Sequence, residues 1–166
     1  MNVPINGRVA IIENNIDEAR PLMKLFAKHQ IPYVYYSGDV SEFPPKDELS
    51  NDIRLLFLDL NLISGGQAIS PGGQIGHLKH VLKSIIREDN YPYAVILWSI
   101  AEDNDIAEQL IPVEPLAKQL RNAFDTELAS TKPIAILDLE KAKYISKSYD
   151  EIGTLTISIN DSNIPE

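Results

Sequence analysis

Cysteine is absent from this 166-residue chain. That excludes a disulfide framework, a thiolate metal site and a cysteine nucleophile, and is compatible with a reducing compartment. Basic residues are scarce, 15 against 24 acids, for a formal charge of -9. A nucleic-acid groove needs a cationic face, so this balance argues against one. It suits a site that gathers cations. Long hydrophobic runs are also missing, and no apolar stretch is long enough to cross a membrane. Met1-Asn2-Val3-Pro4 is not a basic segment followed by an apolar run, so nothing resembles a signal peptide. Phosphate-loop motifs are lacking too: the glycines between Ser64 and Gly76 are not followed by Gly-Lys-Ser/Thr, and no G-x-G-x-x-G follows the first apolar run. The expectation is a soluble cytoplasmic protein. At 44% apolar residues, the chain can build one domain with a core of its own.

Among what is present, Leu55-Leu56-Phe57-Leu58-Asp59-Leu60-Asn61-Leu62 is the most informative stretch. A run of large apolar residues reads as a strand covered on both faces, as in a parallel sheet. An acid in such a run belongs where the strand leaves the core, at the carboxyl edge where open α/β sheets bind ligands.

Strands and helices alternate around it. Arg8 to Ile12 is a short apolar strand ending in Glu13-Asn14-Asn15. A helix follows from Asp17, with Ala19, Leu22, Met23 and Phe26 at helical spacing and Pro21 in its first turn. Tyr33 to Tyr36 is an aromatic second strand. Gly38 to Asp52 reads as a loop with at most one helical turn after Pro45, and the segment from Ser64 to Gly73 as an irregular glycine-rich loop. Ile75, Leu78, Leu82, Ile85 and Ile86 trace a helix ending near Asn90. Tyr93 to Leu97, with Trp98-Ser99, is a fourth strand. Two helical pieces split by Pro112 and Pro115 come next, and Pro133 to Leu137 is a fifth strand closed by Asp138. Lys141 to Tyr149 reads as a short helix, Leu155 to Ile159 alternates like an extra C-terminal edge strand, and Asn160 to Glu166 is a tail. The expected architecture is α/β, a doubly wound five-stranded parallel sheet of the flavodoxin-like kind. Residues 1–149 form the domain, and 150–166 a C-terminal extension or linker.

The strand ends carry the chemistry. The first ends in Glu13-Asn14, the third in Asp59 with Asn61 two residues on, the fourth in Ser99, and the fifth in Asp138 with Lys141 beyond. In a parallel sheet these ends share one edge, and the first and third strands are neighbours in the flavodoxin-like order. Two carboxylates meeting there repel each other, and a divalent cation removes the repulsion. Mg²⁺ takes one or two carboxylates and completes its shell with water and phosphate oxygens. A carboxylate so placed can attack a phosphoryl group and become an acyl phosphate.

V-A-I-I-E-N-N, L-L-F-L-D-L-N-L and the Ser99 strand end together resemble the receiver domains of two-component response regulators, over Arg8 to Leu139. The resemblance implies a flavodoxin-like fold, a phosphoacceptor at Asp59, and Mg²⁺ held by Glu13, Asp59, the Asn61 carbonyl and, in the second acid's place, Asn14. It implies a sensing hydroxyl at Ser99. It also implies a histidine kinase or phosphotransfer protein as donor, an output domain or partner protein as target, and no catalysis beyond self-phosphorylation and dephosphorylation. No nucleic acid and no membrane is expected as a partner of this domain.

The departures favour a rival reading, a pseudo-receiver that binds proteins without phosphorylation. Asn14 stands where the family has a second acid. Lys132-Pro133 precedes the fifth strand instead of ending it, which leaves Lys141 as the nearest lysine, and the family's aromatic on that strand has no counterpart. Taken singly, Asp59 reads as a turn cap, and Asn14 and Asn15 as turn and helix-capping residues. His77 and His80, spaced i and i+3, are a candidate metal pair with no third ligand in view.

Overall fold

Among the described residues, the core lies on both faces of one parallel sheet. The computed structural model describes residues 8–48, 53–62, 71–90, 92–99 and 113–140. Within them the sheet strands are β1 (Arg8–Ile12), β2 (Tyr33–Tyr36), β3 (Ile53–Asp59), β4 (Ala94–Ser99) and β5 (Ala135–Glu140). The spatial order is β2-β1-β3-β4-β5 and every pairing is parallel. This is the doubly wound order expected from the strand–helix alternation. Three helices are described: α1 (Ile16–Lys28), α2 (Pro71–Ile85) and α3 (Val113–Asp125).

Alternation along the strands divides the apolar residues between two cores. Val9 and Ile11 of β1, Phe57 of β3, and Ile96 and Trp98 of β4 join Leu22, Leu25 and Phe26 of α1 on one face. Ala10 and Ile12, Leu56 and Leu58, and Val95 and Leu97 face the other way, onto Leu78, Val81 and Leu82 of α2 and Leu120 and Phe124 of α3. The central run 55–58 is apolar throughout because β3 is buried from both sides. Phe57 meets Trp98 edge-on, with ring centroids 6.0 Å apart, a favoured aromatic geometry.

Asn15 caps α1. Its side-chain oxygen accepts from the Asp17 backbone N–H at 3.1 Å, and its amide donates to Glu18 at 2.9 Å. The β1–β3 ladder is irregular at its start: Arg8 pairs with Ile53 but Val9 pairs with Leu55, so one residue of β3 is skipped.

Several expectations need correction. Pro21 is the sixth residue of α1, beyond the first turn, so the helix continues without one N–H donor. The polar stretch after β2 holds two short 3-10 turns, Val40–Glu42 and Lys46–Glu48, the first capped by Asp39. The helix after β3 begins at Pro71 and takes in Gly72, Gly73 and Gly76, so that part of the glycine-rich stretch is not loop. Proline is well suited to a first helical position. The same helix stops at Ile85, short of Asn90, whose side chain instead hydrogen-bonds both backbone polar groups of Ile53 at 3.0 Å. β5 runs on through Asp138 to Glu140. Asp138 is therefore inside the strand and exposed, paired with Arg121 of α3 at 2.6 Å. Lys141, the helix at 141–149, the edge strand at 155–159 and the extension 150–166 lie outside the described residues, as do 63–70 and the first helical piece after β4.

Candidate functional site

Ile12 pairs with Leu58, so one further step of the register sets Glu13 beside Asp59. Both carboxylates come from strands that leave the core at the same edge. Both are buried, Glu13 at 1% and Asp59 at 3% relative exposure. Glutamate and aspartate are almost never fully buried singly, and two at neighbouring positions are a strong departure from that rule.

Contacts along its backbone and at its carboxylate hold Glu13 in place. Its backbone N–H donates to the Tyr36 carbonyl at 3.1 Å. Its carbonyl accepts the Tyr35 hydroxyl at 2.6 Å. Its carboxylate accepts the Asn15 backbone N–H at 3.0 Å, which links it to the cap of α1. Burial first, then the carboxylates of Glu13 and Glu42, push the Tyr35 hydroxyl above the ordinary tyrosine range. The phenol therefore stays protonated and keeps donating. Asn14, in contrast, points to the surface and is exposed.

Asp59 accepts the Asn61 backbone N–H at 3.2 Å, a short local turn of the kind aspartate favours. The two residues flanking Asn61 are tied elsewhere. Gln74, in the first turns of α2, is buried at 3% exposure. Its side-chain amide donates to the Leu60 carbonyl at 2.8 Å and to the Leu62 carbonyl at 2.7 Å. Leu62 in turn packs against Gly38, where a Cβ would lie 3.0 Å from the leucine methyl.

On the other side of β3, Trp98 is the partner of Asp59 in the ladder. Its indole N–H is buried with no hydrogen-bond partner among the described residues. Ser99 ends β4 one residue further on, level with Glu140 of β5. Lys132 precedes β5 and pairs with Asp125 at 2.5 Å, away from this edge. His80 is exposed and His77 only half-buried. Among the described residues, no group of three or more His, Asp or Glu side chains converges on a metal position.

The structure thus brings together Glu13, Asp59 and Asn61, and sets Ser99 one step from the position beside Asp59. The oxygen groups available at this edge are hard ones: two buried carboxylates and the backbone carbonyl of Asn61, whose N–H is bound to Asp59. That set fits Mg²⁺, which binds through one or two carboxylates and keeps waters or phosphate oxygens in its remaining positions. Two residues that tie the backbone beside these acids were not foreseen. Gln74 lies just past the stretch read as glycine-rich loop, and Tyr35 in a strand read only as packing.

No family model and no curated protein matches the chain. Solved structures do match. A response regulator from Thermotoga maritima superposes with a TM-score of 0.50 at 11% identity, covering 95% of this chain and all of its own. A response regulator receiver domain from Rhodospirillum rubrum matches at 16% identity with a TM-score of 0.46, over 96% of this chain and 97% of its own. The fold is receiver-like, a five-stranded parallel sheet in the same α/β arrangement.

Proposed function

We propose that this protein is a receiver switch in signal transduction, with Asp59 as the phosphoacceptor. The observation that carries the reading is the burial of Glu13 and Asp59 at adjacent register positions on the carboxyl edge. Holding two acids together there has a use if a divalent cation and a phosphoryl group are to be received between them. Glu13, Asp59 and the Asn61 carbonyl would hold Mg²⁺, which supplies charge neutralisation for the incoming phosphoryl oxygens. An Asp59 carboxylate oxygen attacks phosphorus, the bond to the donor breaks, and the donor leaves with that electron pair. A phosphohistidine of a kinase or phosphotransfer protein, or a small acyl phosphate, meets that requirement. The new acyl phosphate adds charge and acceptor oxygens that Ser99, and Lys141 beyond β5, would sense. The bias passes to the surface around β4 and β5, where an output domain or partner protein would read it in the cytoplasm. No chemistry beyond gaining and losing the phosphoryl group is assigned.

Incubation with acetyl phosphate and Mg²⁺ is expected to add one phosphoryl mass, and Asp59→Asn to abolish the addition. An unchanged mass with every donor tried would end this reading.

One observation favours a second reading, a pseudo-receiver that engages partners without phosphorylation. The residue level with Ser99 on β5 is the acid Glu140, not a base, and Asn14, exposed just past β1, stands where the family has an acid. Partner binding that is indifferent to both Mg²⁺ and Asp59→Asn would select it.

A further inference from the structure

The loop that leaves β3 has an unusual anchor. Three consecutive carbonyls follow Asp59, those of Leu60, Asn61 and Leu62. The buried Gln74 amide takes the first and third, at 2.8 and 2.7 Å, and leaves the middle one to other use. A primary amide has two N–H donors, and here both are spent on the residues that bracket Asn61. The Asn61 N–H is fixed separately by Asp59. Leu60 and Leu62 are themselves fully buried, so their carbonyls need donors from the protein. Leu62 is also wedged against Gly38 at the exit of β2. Asn61 is therefore held by its own N–H on Asp59 and, from both sides, by contacts its neighbours make.

We infer that Gln74 is a positioning residue for the cation site: its amide clamps the Leu60 and Leu62 carbonyls and thereby presents the Asn61 carbonyl beside Asp59. This rests on the Mg²⁺-dependent reading of the same edge. The placement on α2 has a further consequence. Because the amide belongs to the helix and the carbonyls to the strand exit, any shift of α2 along the sheet moves the Asn61 carbonyl. The clamp couples occupancy of the acidic edge to the position of α2.

A residue that orients a ligand without touching the metal typically changes affinity by about 10- to 100-fold when lost. Gln74→Met keeps the length of the arm and removes both donors. Gln74→Asn keeps the donors on an arm one methylene shorter, and serves should the methionine variant fail to fold. The measurement is Mg²⁺ affinity by titration calorimetry on folded protein, with amide hydrogen exchange of Asn61 as the second readout. Either variant is expected to weaken Mg²⁺ binding at least about tenfold and to speed exchange at Asn61. A purely structural role would lower thermal stability and leave the affinity of the folded protein unchanged; that result overturns the inference alone. Failure of the unsubstituted protein to bind Mg²⁺ overturns the cation-site reading, and the clamp's role with it.

Discussion

Tyr93 shows how one buried hydroxyl ties stability to pH. Its ring is in the core at the start of β4, and its hydroxyl donates to the Thr131 carbonyl at 2.6 Å. Burial pushes its ionisation far above the ordinary value of 10.0. Between the unfolded and folded values the native state keeps a proton that the unfolded chain releases. Stability is therefore complete below about pH 10 and declines as pH rises above it. Tyr35 and Tyr36, also raised by burial, add to the same slope. Tyr93→Phe is expected to cost about 1 kcal/mol at neutral pH through the lost hydrogen bond. It should also flatten part of the alkaline decline in a urea-unfolding series from pH 8 to 11. An unchanged alkaline slope would count against the tyrosine account.

Two glycines make opposite predictions for the elements that carry them. Gly38 has a φ of +86°, and an added Cβ would press on Leu62 at 3.0 Å. Gly38→Ala is expected to destabilise by about 1–2 kcal/mol, from backbone strain and the crowded leucine. Gly76 sits within α2 with open space where a Cβ would go. Gly76→Ala should stabilise by roughly 0.5–1 kcal/mol, because alanine gives up less entropy in a helix. Thermal midpoints of the two variants test both signs. These positions also show what the sequence reveals at this scale. The central strands were legible because apolar runs of the right length admit few other uses. The helix over 71–85 was half-legible: Leu78, Leu82 and Ile85 mark its buried face, but three glycines in its first turns imitate a loop. Proline at its first position holds φ and needs no N–H partner, and that outweighed the glycine signal. Asp138 misled for a related reason. A charged residue after an apolar run reads as a strand end, yet on β5, the last strand of the described sheet, it is exposed and paired with Arg121 while the ladder to β4 continues. Asp59 was legible as a candidate because an acid has little place in a long apolar run, and Glu13 because it falls in one set with Asp59 and Ser99 at the strand ends. Gln74 was not, since nothing local distinguishes a glutamine that will be buried from one that will be solvated.

At the scale of the whole molecule, ligand binding and folding are linked. Anything that binds only the native state raises its stability by mass action. If the acidic edge takes Mg²⁺, excess cation at a hundred times its dissociation constant adds about 2.7 kcal/mol. For a chain of 166 residues that corresponds to a midpoint rise of roughly 5–10 °C. Differential scanning calorimetry with Mg²⁺ and with a chelator measures it, and Glu13→Gln should remove most of the rise. A general ionic effect on a protein of charge -9 would survive that substitution.

The skipped residue at the entrance of the β1–β3 ladder sets the phase of everything downstream. Had pairing run on evenly from Arg8 and Ile53, residue 13 would stand opposite Leu58, and the two acids would be staggered onto different sides of the pleat. By omitting Arg54 from the count, the chain advances one strand against the other like a vernier, and the carboxylates fall into line at the far end. Their meeting is decided at the opposite margin of the sheet, by a residue that never comes near them.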